Sequence, residues 1–168
     1  GLPKPVGFVF SGGANLGAIQ AGMLKALHEN QIEPDLIAGT SVGALNGSAI
    51  ANHGMVEGIR ILEDVWQSLE KNDIFPGGPW TQAMTLVRSR LNVYENGSLH
   101  ALIQRTLSVA SIEALPIPFA ATATELVTHH PAVFRSGNLE PILLASTALP
   151  GIFPPVEVGG VQYIDGGV

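Results

Sequence analysis

The sequence predicts an α/β fold, a three-layer α/β/α sandwich with a largely parallel central sheet. Short apolar segments bounded by glycine turns alternate with segments of helical periodicity in the first half of the chain. The composition is 46% hydrophobic and 13% charged, which suits strands that are buried on both faces. A length of 168 residues fits one hydrophobic core, so we predict a single domain over residues 1–168.

The first strand is predicted at residues 6–10, which are apolar and lie between Pro5 and a glycine-rich loop. Apolar residues then recur at helical spacing over about 15–30, which predicts a helix. A second short strand is predicted at 36–38, and a second helix follows it as far as about Asn52.

The rest of the chain continues the mixture of helices and strands. Apolar spacing predicts further helices at 56–69, 84–91, 99–107 and 139–147. A loop rich in proline and glycine separates the first two of these. Strands are predicted at 118–126, 132–135, 156–158 and 161–164. The first pair and the last pair each form a hairpin.

Charge and cysteine content exclude several classes of function. The chain has 14 acidic and 8 basic residues and a net charge of −6, which argues against nucleic-acid binding and against a polybasic membrane anchor. It has no cysteine, which excludes disulfides, thiolate catalysis and cysteine metal sites. No apolar run approaches the roughly 20 residues that span a bilayer.

The most informative motif is Gly39-Thr40-Ser41-Val42-Gly43, which lies between the second strand and its helix. Such a turn strains the backbone of the serine and lifts its hydroxyl clear of the sheet. Gly39 and Gly43 are needed because side chains there would collide with the neighbouring strand or helix. The helix directs its N-terminal amides toward charge that develops near the hydroxyl. The motif predicts a nucleophilic serine, Ser41, in a nucleophile elbow.

A second motif is the glycine-rich loop at 11–17, which follows the first strand. A dinucleotide-binding loop would need glycine where Ala14 stands, and a nucleotide P-loop would need lysine where Ala18 stands. An oxyanion hole needs only backbone N–H donors, and a simple helix-entry turn needs only the glycines. These last two interpretations stay open on the loop alone.

The third motif is Tyr163-Ile164-Asp165-Gly166-Gly167, in which an aspartate leaves an apolar strand. Alone, such a sequence is most often a turn. The two glycines also allow another backbone to approach closely. Together with the other two motifs, this makes Asp165 a candidate site residue.

A histidine-based triad is the rival arrangement, and the sequence argues against it. An α/β-hydrolase orders its catalytic residues as serine, acid and histidine, but no histidine follows Asp165. The five histidines are predicted on helices, at helix ends or in a hairpin turn: His28, His53, His100, His129 and His130. No arrangement of metal ligands is evident, so we predict neither a metal nor a cofactor.

Taken in order, the three motifs resemble the patatin-like phospholipase family. Two further segments match the family, at 17–24 and at 145–155, and the resemblance is weakest between about 72 and 107. The resemblance implies a patatin-like sandwich and a serine acyl hydrolase that cleaves fatty-acyl ester bonds of lipids. The activity would be of the phospholipase, lysophospholipase or esterase type. In this reading Ser41 is the nucleophile and Asp165 its partner, without histidine.

The resemblance also implies an oxyanion hole in the glycine-rich loop, formed by the backbone amides of Gly12, Gly13 and Ala14. The family usually has a third glycine where Ala14 stands and often a basic residue where Leu16 stands. Alanine still supplies an N–H group, so we expect the oxyanion hole to be retained.

Further expectations follow from the same resemblance. The partner is a lipid ester substrate, and the protein is expected in the cytoplasm with peripheral contact to membranes. Relatives usually continue beyond the equivalent of Val168, so we expect that C-terminal elements of the family are missing from this chain. The alternative interpretation is a catalytically idle patatin-like module that binds lipid or regulates a partner. The sequence leaves the oligomeric state open.

Overall fold

The computed structural model describes residues 2–71 and 97–168, which form a mixed sheet flanked by helices around one buried apolar cluster. The predicted loop at 72–80 and the predicted helix at 84–91 lie outside the described residues.

The first half of the chain contains two strand–turn–helix units. The first unit comprises β1 (Gly7–Phe10), a short 3-10 turn (Ala14–Leu16) and α1 (Gly17–Glu29). The second comprises β2 (Leu36–Thr40) and α2 (Val42–Lys71). The two helices predicted for this region form one element, which is interrupted at Gly54, where φ is 74°. The strands and helices predicted from local apolar spacing are therefore confirmed here.

The second half begins with a helix and contains the remaining strands. These elements are α3 (Gly97–Thr106), a second 3-10 turn (Ile112–Ala114), β3 (Phe119–Glu125), β4 (Pro131–Phe134), α4 (Leu139–Ser146), β5 (Val156–Val158) and β6 (Val161–Asp165). The helices and strands lie within two residues of their predicted bounds. Both predicted hairpins are present, because β3 pairs with β4 and β5 pairs with β6, each antiparallel.

The register of β3 shows how the carboxyl ends of two strands meet. β2 pairs parallel with β3 as far as Thr40 opposite Thr122, and β6 pairs antiparallel with β3 from Asp165 opposite Ala123. Because β4 occupies the other edge of β3 over 121–124, β2 and β6 must share one edge, end to end. The last residues of β2 and β6 therefore face each other along a single line of the sheet.

The described helices pack against this sheet and against one another. α2 contacts β1, β2 and β3, and α4 contacts β3, β5 and β6, while α1 and α3 pack against these two helices. Strands β1, β2, β3 and β5 run in one direction and β4 and β6 run in the other. The predicted α/β class with a largely parallel sheet is confirmed. On the face of β1 away from α2, Val9 is 82% exposed.

Helix α1 shows which of two apolar stripes is buried. The sequence pattern placed Ile19 and Met23 with Leu24 on one apolar helix, but only Leu24 is buried, and Ile19 and Met23 are exposed. The buried stripe begins at Gly17, where a Cβ atom would lie 2.5 Å from the ring of Trp66. Small residues let α1 approach α2 closely, so α1 faces α2 with its small residues and leaves the bulkier stripe outside. No helix of the described segments combines the length and the hydropathy needed to cross a bilayer.

Candidate active site

Ser41 is the single residue between the end of β2 and the start of α2. Its φ of 53° lies in the left-handed region of backbone conformation, which residues other than glycine rarely adopt. Packing requires glycine on both sides. A Cβ atom on Gly39 would lie 2.5 Å from the carbonyl oxygen of Gly43, and one on Gly43 would collide with the carbonyl oxygens of Phe10 and Ser11. The turn predicted from the sequence is present, with the strain that a nucleophile elbow requires.

The backbone of Ser41 is held from two sides. Its carbonyl oxygen accepts the N–H groups of Ala44 and Leu45, at 2.9 and 3.2 Å, in the first turn of α2. Its N–H donates to the hydroxyl oxygen of Ser146 at 2.9 Å, at the end of α4. The sequence did not single out Ser146 as a site residue. The available signal was its place in the segment at 145–155 that matches the family.

Asp165 is the last residue of β6 and is 2% exposed. Its Oδ1 accepts the N–H of Gly167 at 2.8 Å, whereas its Oδ2 has no hydrogen-bond partner among the residues that the structure describes. Burial raises the pKa of Asp165 above its ordinary value, because the charged form is poorly solvated. The nearby Ser41 hydroxyl and the Gly167 N–H act in the opposite direction, with smaller effects on the pKa.

The fold brings Ser41 and Asp165 close together. The Ser41 hydroxyl is close enough to influence the pKa of Asp165, yet Oδ2 accepts no hydrogen bond of regular geometry. Hydrogen bonds between catalytic groups are commonly long or poorly aligned without substrate and tighten when it binds. The pair is therefore adjacent, with one carboxylate oxygen free to accept a proton.

The glycine-rich loop lies against the serine. A Cβ atom on Gly12 would lie 3.3 Å from the Cβ of Ser41 and 4.0 Å from its hydroxyl oxygen. Gly13 and Ala14 have φ angles of 152° and 49°, so consecutive residues take unusual conformations where the 3-10 turn begins. In the two described segments, the N–H groups of Gly12, Gly13 and Ala14 donate to no other protein group. Consecutive free amides on such a turn can bind an anion.

Ala14 occupies a position that favours glycine. Its φ of 49° lies in the left-handed region, which costs an L-residue roughly 1–2 kcal/mol. This strain gives a physical reason for the glycine that the family pattern usually has there. Alanine keeps the same N–H group, at the cost of that strain.

The five histidines take other positions. His53 pairs with the carbonyl oxygen of Thr106 at 2.8 Å, and His100 pairs with Glu140 at 2.6 Å. His129 and His130 are exposed in the turn between β3 and β4. Within the described residues, which include all five, no histidine hydrogen-bonds to the serine or to the aspartate. In those same residues, no group of three or more His, Asp or Glu side chains could hold a metal ion.

Comparison with known proteins gives a consistent set of similarities. A family model described as Patatin-like phospholipase matches residues 8–168. The lysophospholipase nte1 of Aspergillus terreus is 29% identical over 164 residues, which cover 98% of this chain and 10% of that protein. An uncharacterized NTE family protein of Mycobacterium bovis is 30% identical over 158 residues, which cover 94% of this chain and 41% of that protein. The chain thus spans well under half the length of these relatives.

Two solved structures share the fold at low sequence identity. VipD from Legionella pneumophila matches with a TM-score of 0.61 at 17% identity, over 99% of this chain and 46% of VipD. A chain of the ExoU–SpcU complex from the type III secretion system of Pseudomonas aeruginosa matches with a TM-score of 0.54 at 18% identity. That match covers 94% of this chain and 38% of the other.

Proposed function

The chain belongs to the patatin-like phospholipase family, and on that premise we propose that it is a serine acyl hydrolase that cleaves fatty-acyl ester bonds of lipids. One observation carries the proposal. A serine in a strained turn lies beside a buried aspartate that has one unpaired oxygen. Ser41 is the nucleophile and Asp165 is the general base.

The unpaired Oδ2 of Asp165 is the proposed proton acceptor. An ordinary aspartate has a pKa near ~3.9 and attracts a serine proton weakly. Burial raises the pKa of Asp165, which makes its carboxylate a stronger base. As Ser41 attacks the ester carbonyl carbon, Oδ2 takes the hydroxyl proton and then returns it to the leaving alcohol. In a second step water attacks the acyl-enzyme and Oδ2 takes its proton. The bond between the acyl carbon and the Ser41 oxygen then breaks, the proton passes to that oxygen, and the fatty acid is released.

The glycine-rich loop is the proposed oxyanion hole. The free amides of Gly12, Gly13 and Ala14 can donate to the oxygen that becomes negatively charged during the attack. A single such donor is worth roughly 3–4 kcal/mol of transition-state stabilisation. The position of Gly12 beside the Ser41 side chain supports this assignment.

An exposed apolar stripe next to the loop supports a lipid substrate. Leu16, Ile19 and Met23 lie along the end of the loop and helix α1, and each is more than half exposed. Leu16 packs beside Gly13, so the stripe begins at the proposed oxyanion hole. We propose that it makes peripheral contact with a lipid surface, by apolar burial rather than by charge, since the chain carries a net charge of −6.

The alternative of a catalytically idle lipid-binding module has less support. A buried carboxylate with an unpaired oxygen costs stability, and a module that only binds lipid has no need for it. Both reacting groups are retained, and the free loop amides lie next to them.

Turnover of a nitrophenyl acyl ester tests the proposal. Ser41→Ala and Asp165→Asn should each lower kcat/KM by at least about 10³-fold, because each removes a group that acts in every turnover. Ser48→Ala is the matched control, since Ser48 is a buried serine whose hydroxyl donates to the Leu45 carbonyl oxygen within α2. The control should keep its activity. An Asp165→Asn protein with wild-type turnover would refute the assignment of the base, and inactive wild-type protein would favour the idle module.

A further inference from the structure

The end of α4 contacts both halves of the proposed site. Ser146 is the last residue of this helix and is fully buried. Its hydroxyl oxygen accepts the N–H of Ser41 at 2.9 Å, and its carbonyl oxygen accepts the N–H of Gly166 at 3.3 Å. Two residues later, the carbonyl oxygen of Ala148 accepts the N–H of Asp165 at 2.9 Å. One short segment therefore receives hydrogen bonds from the nucleophile turn and from the aspartate strand.

The Ser41 amide needs a partner from outside the sheet. The ladder between β2 and β3 ends at Thr40 opposite Thr122, and the chain then turns at Ser41 with its positive φ. A buried backbone N–H without an acceptor is unfavourable, so nearly all such groups are paired. The hydroxyl of Ser146 provides the acceptor that the strained turn cannot obtain from a neighbouring strand.

We infer that Ser146 is a positioning residue that holds the Ser41 turn in place against Asp165. This inference rests on the proposed hydrolase function. Ser146 contacts the backbone of the nucleophile and of the residue after the base, and it does not itself react. Its support is rigid, because Leu143 and Ile142 in the same helix are almost completely buried in the core.

The adjacent residue separates positioning from simple helix stability. Thr147 is also buried, and its hydroxyl donates to the carbonyl oxygens of Leu143 and Leu144, at 2.8 and 3.2 Å. Thr147→Val removes a buried hydroxyl from the same helix end without removing a contact to the Ser41 turn. It is therefore the matched control for Ser146→Ala.

The experiment compares kcat, KM and Tm of wild type, Ser146→Ala and Thr147→Val on a nitrophenyl acyl ester. Ser146→Ala should lower kcat by roughly 10- to 100-fold with KM within about twofold, because the turn loses alignment and not substrate contacts. Thr147→Val should keep kcat within about twofold of wild type, even if its Tm falls as much as the Tm of Ser146→Ala.

Conservative variants complete the test. Ser146→Thr keeps the hydroxyl acceptor and should recover most of the lost kcat. If the added methyl group lowers Tm below that of Ser146→Ala, Ser146→Cys replaces it. A thiol is a weak acceptor, so its kcat should fall between those of alanine and serine.

The possible failures can be told apart. Active wild type with equal kcat for Ser146→Ala and Thr147→Val overturns the inference alone. So does a kcat of the conservative variant, Ser146→Thr or its replacement Ser146→Cys, that does not exceed the kcat of Ser146→Ala. A wild-type protein that neither turns over the ester nor reacts with a fluorophosphonate overturns the proposed function and this inference together.

Discussion

Asp165 shows most clearly how a functional requirement conflicts with stability. Its carboxylate is 2% exposed and has one paired oxygen, so ionisation is unfavourable in the folded protein. The same burial that destabilises the charged form raises the pKa of the side chain and makes it a better base. In the proposed mechanism, the stability that the fold gives up at this residue contributes to catalysis.

This conflict predicts a pH-dependent stability difference between wild type and Asp165→Asn. Because the pKa of Asp165 is raised, the unfolded chain ionises first, from about pH 3.9 upward. The contribution of the carboxyl group to stability is complete below that pH and is lost as the pH rises through the folded pKa. Asparagine does not titrate and can still accept the Gly167 N–H through Oδ1. Asp165→Asn should therefore gain Tm relative to wild type as the pH rises from 4 to 8.

Thermal unfolding of both proteins across this pH range measures the difference. The Tm difference between the two proteins should increase over the same pH range as the acid limb of kcat/KM in the wild type, because both report ionisation of Asp165. A Tm difference that stays constant with pH, or that favours wild type at pH 8, would contradict the burial of an unpaired carboxylate.

At the level of elements, local patterns predicted most of the structure. β1, β2 and the final hairpin were found because short apolar runs end at glycine turns, and such signals need no long-range information. The buried face of α1 was not predicted, since two apolar stripes share the helix and tertiary contact with α2 decides between them. The role of Ser146 was also beyond prediction, because its partner lies 105 residues away.

The start of α2 provides a test at this scale. Gly43→Ala would place a Cβ atom against the carbonyl oxygens of Phe10 and Ser11. These are backbone atoms, so relieving the contact requires a shift of the main chain. We expect a loss of at least about 1–3 kcal/mol in the free energy of unfolding, together with loss of activity.

Gly22→Ala is the matched control for Gly43→Ala. Gly22 is exposed within α1, and nothing lies within 4 Å of the position of an added Cβ atom. Alanine favours helix, so this change should add about 0.5–1 kcal/mol of stability. Chemical denaturation of the three proteins gives both values. Equal effects of the two substitutions would show that α2 does not press against the end of β1.

At the scale of the whole molecule, the register of β3 brings the site together. β2 and β6 meet end to end along one edge of β3, so the turn after one strand and the last residue of the other become neighbours. The sequence indicated Asp165 through its motif and the family resemblance. The arrangement of strands that brings it to Ser41 depends on non-local pairing, which no local pattern encodes.

The charge and surface of the whole chain predict how it approaches lipid. With a net charge of −6, the protein should bind zwitterionic phosphatidylcholine vesicles at least as tightly as vesicles that contain phosphatidylserine. Met23→Gln should weaken binding by about tenfold, because it removes an apolar side chain from the proposed contact. Val127→Ser, which changes an exposed valine in the turn between β3 and β4, should leave binding unchanged. Vesicle sedimentation measures the binding of wild type, Met23→Gln and Val127→Ser. Tighter binding of the wild type to the anionic vesicles would contradict apolar contact.

In the proposed mechanism, Ser41 is a nucleophile that Asp165 activates. The most direct measurement is the rate of fluorophosphonate labelling, with the modified residue mapped by mass spectrometry. We expect one label on Ser41 in the wild type, no label in Ser41→Ala and labelling slowed by at least about 100-fold in Asp165→Asn. Labelling at another residue, or an unchanged rate in Asp165→Asn, would contradict the proposed mechanism.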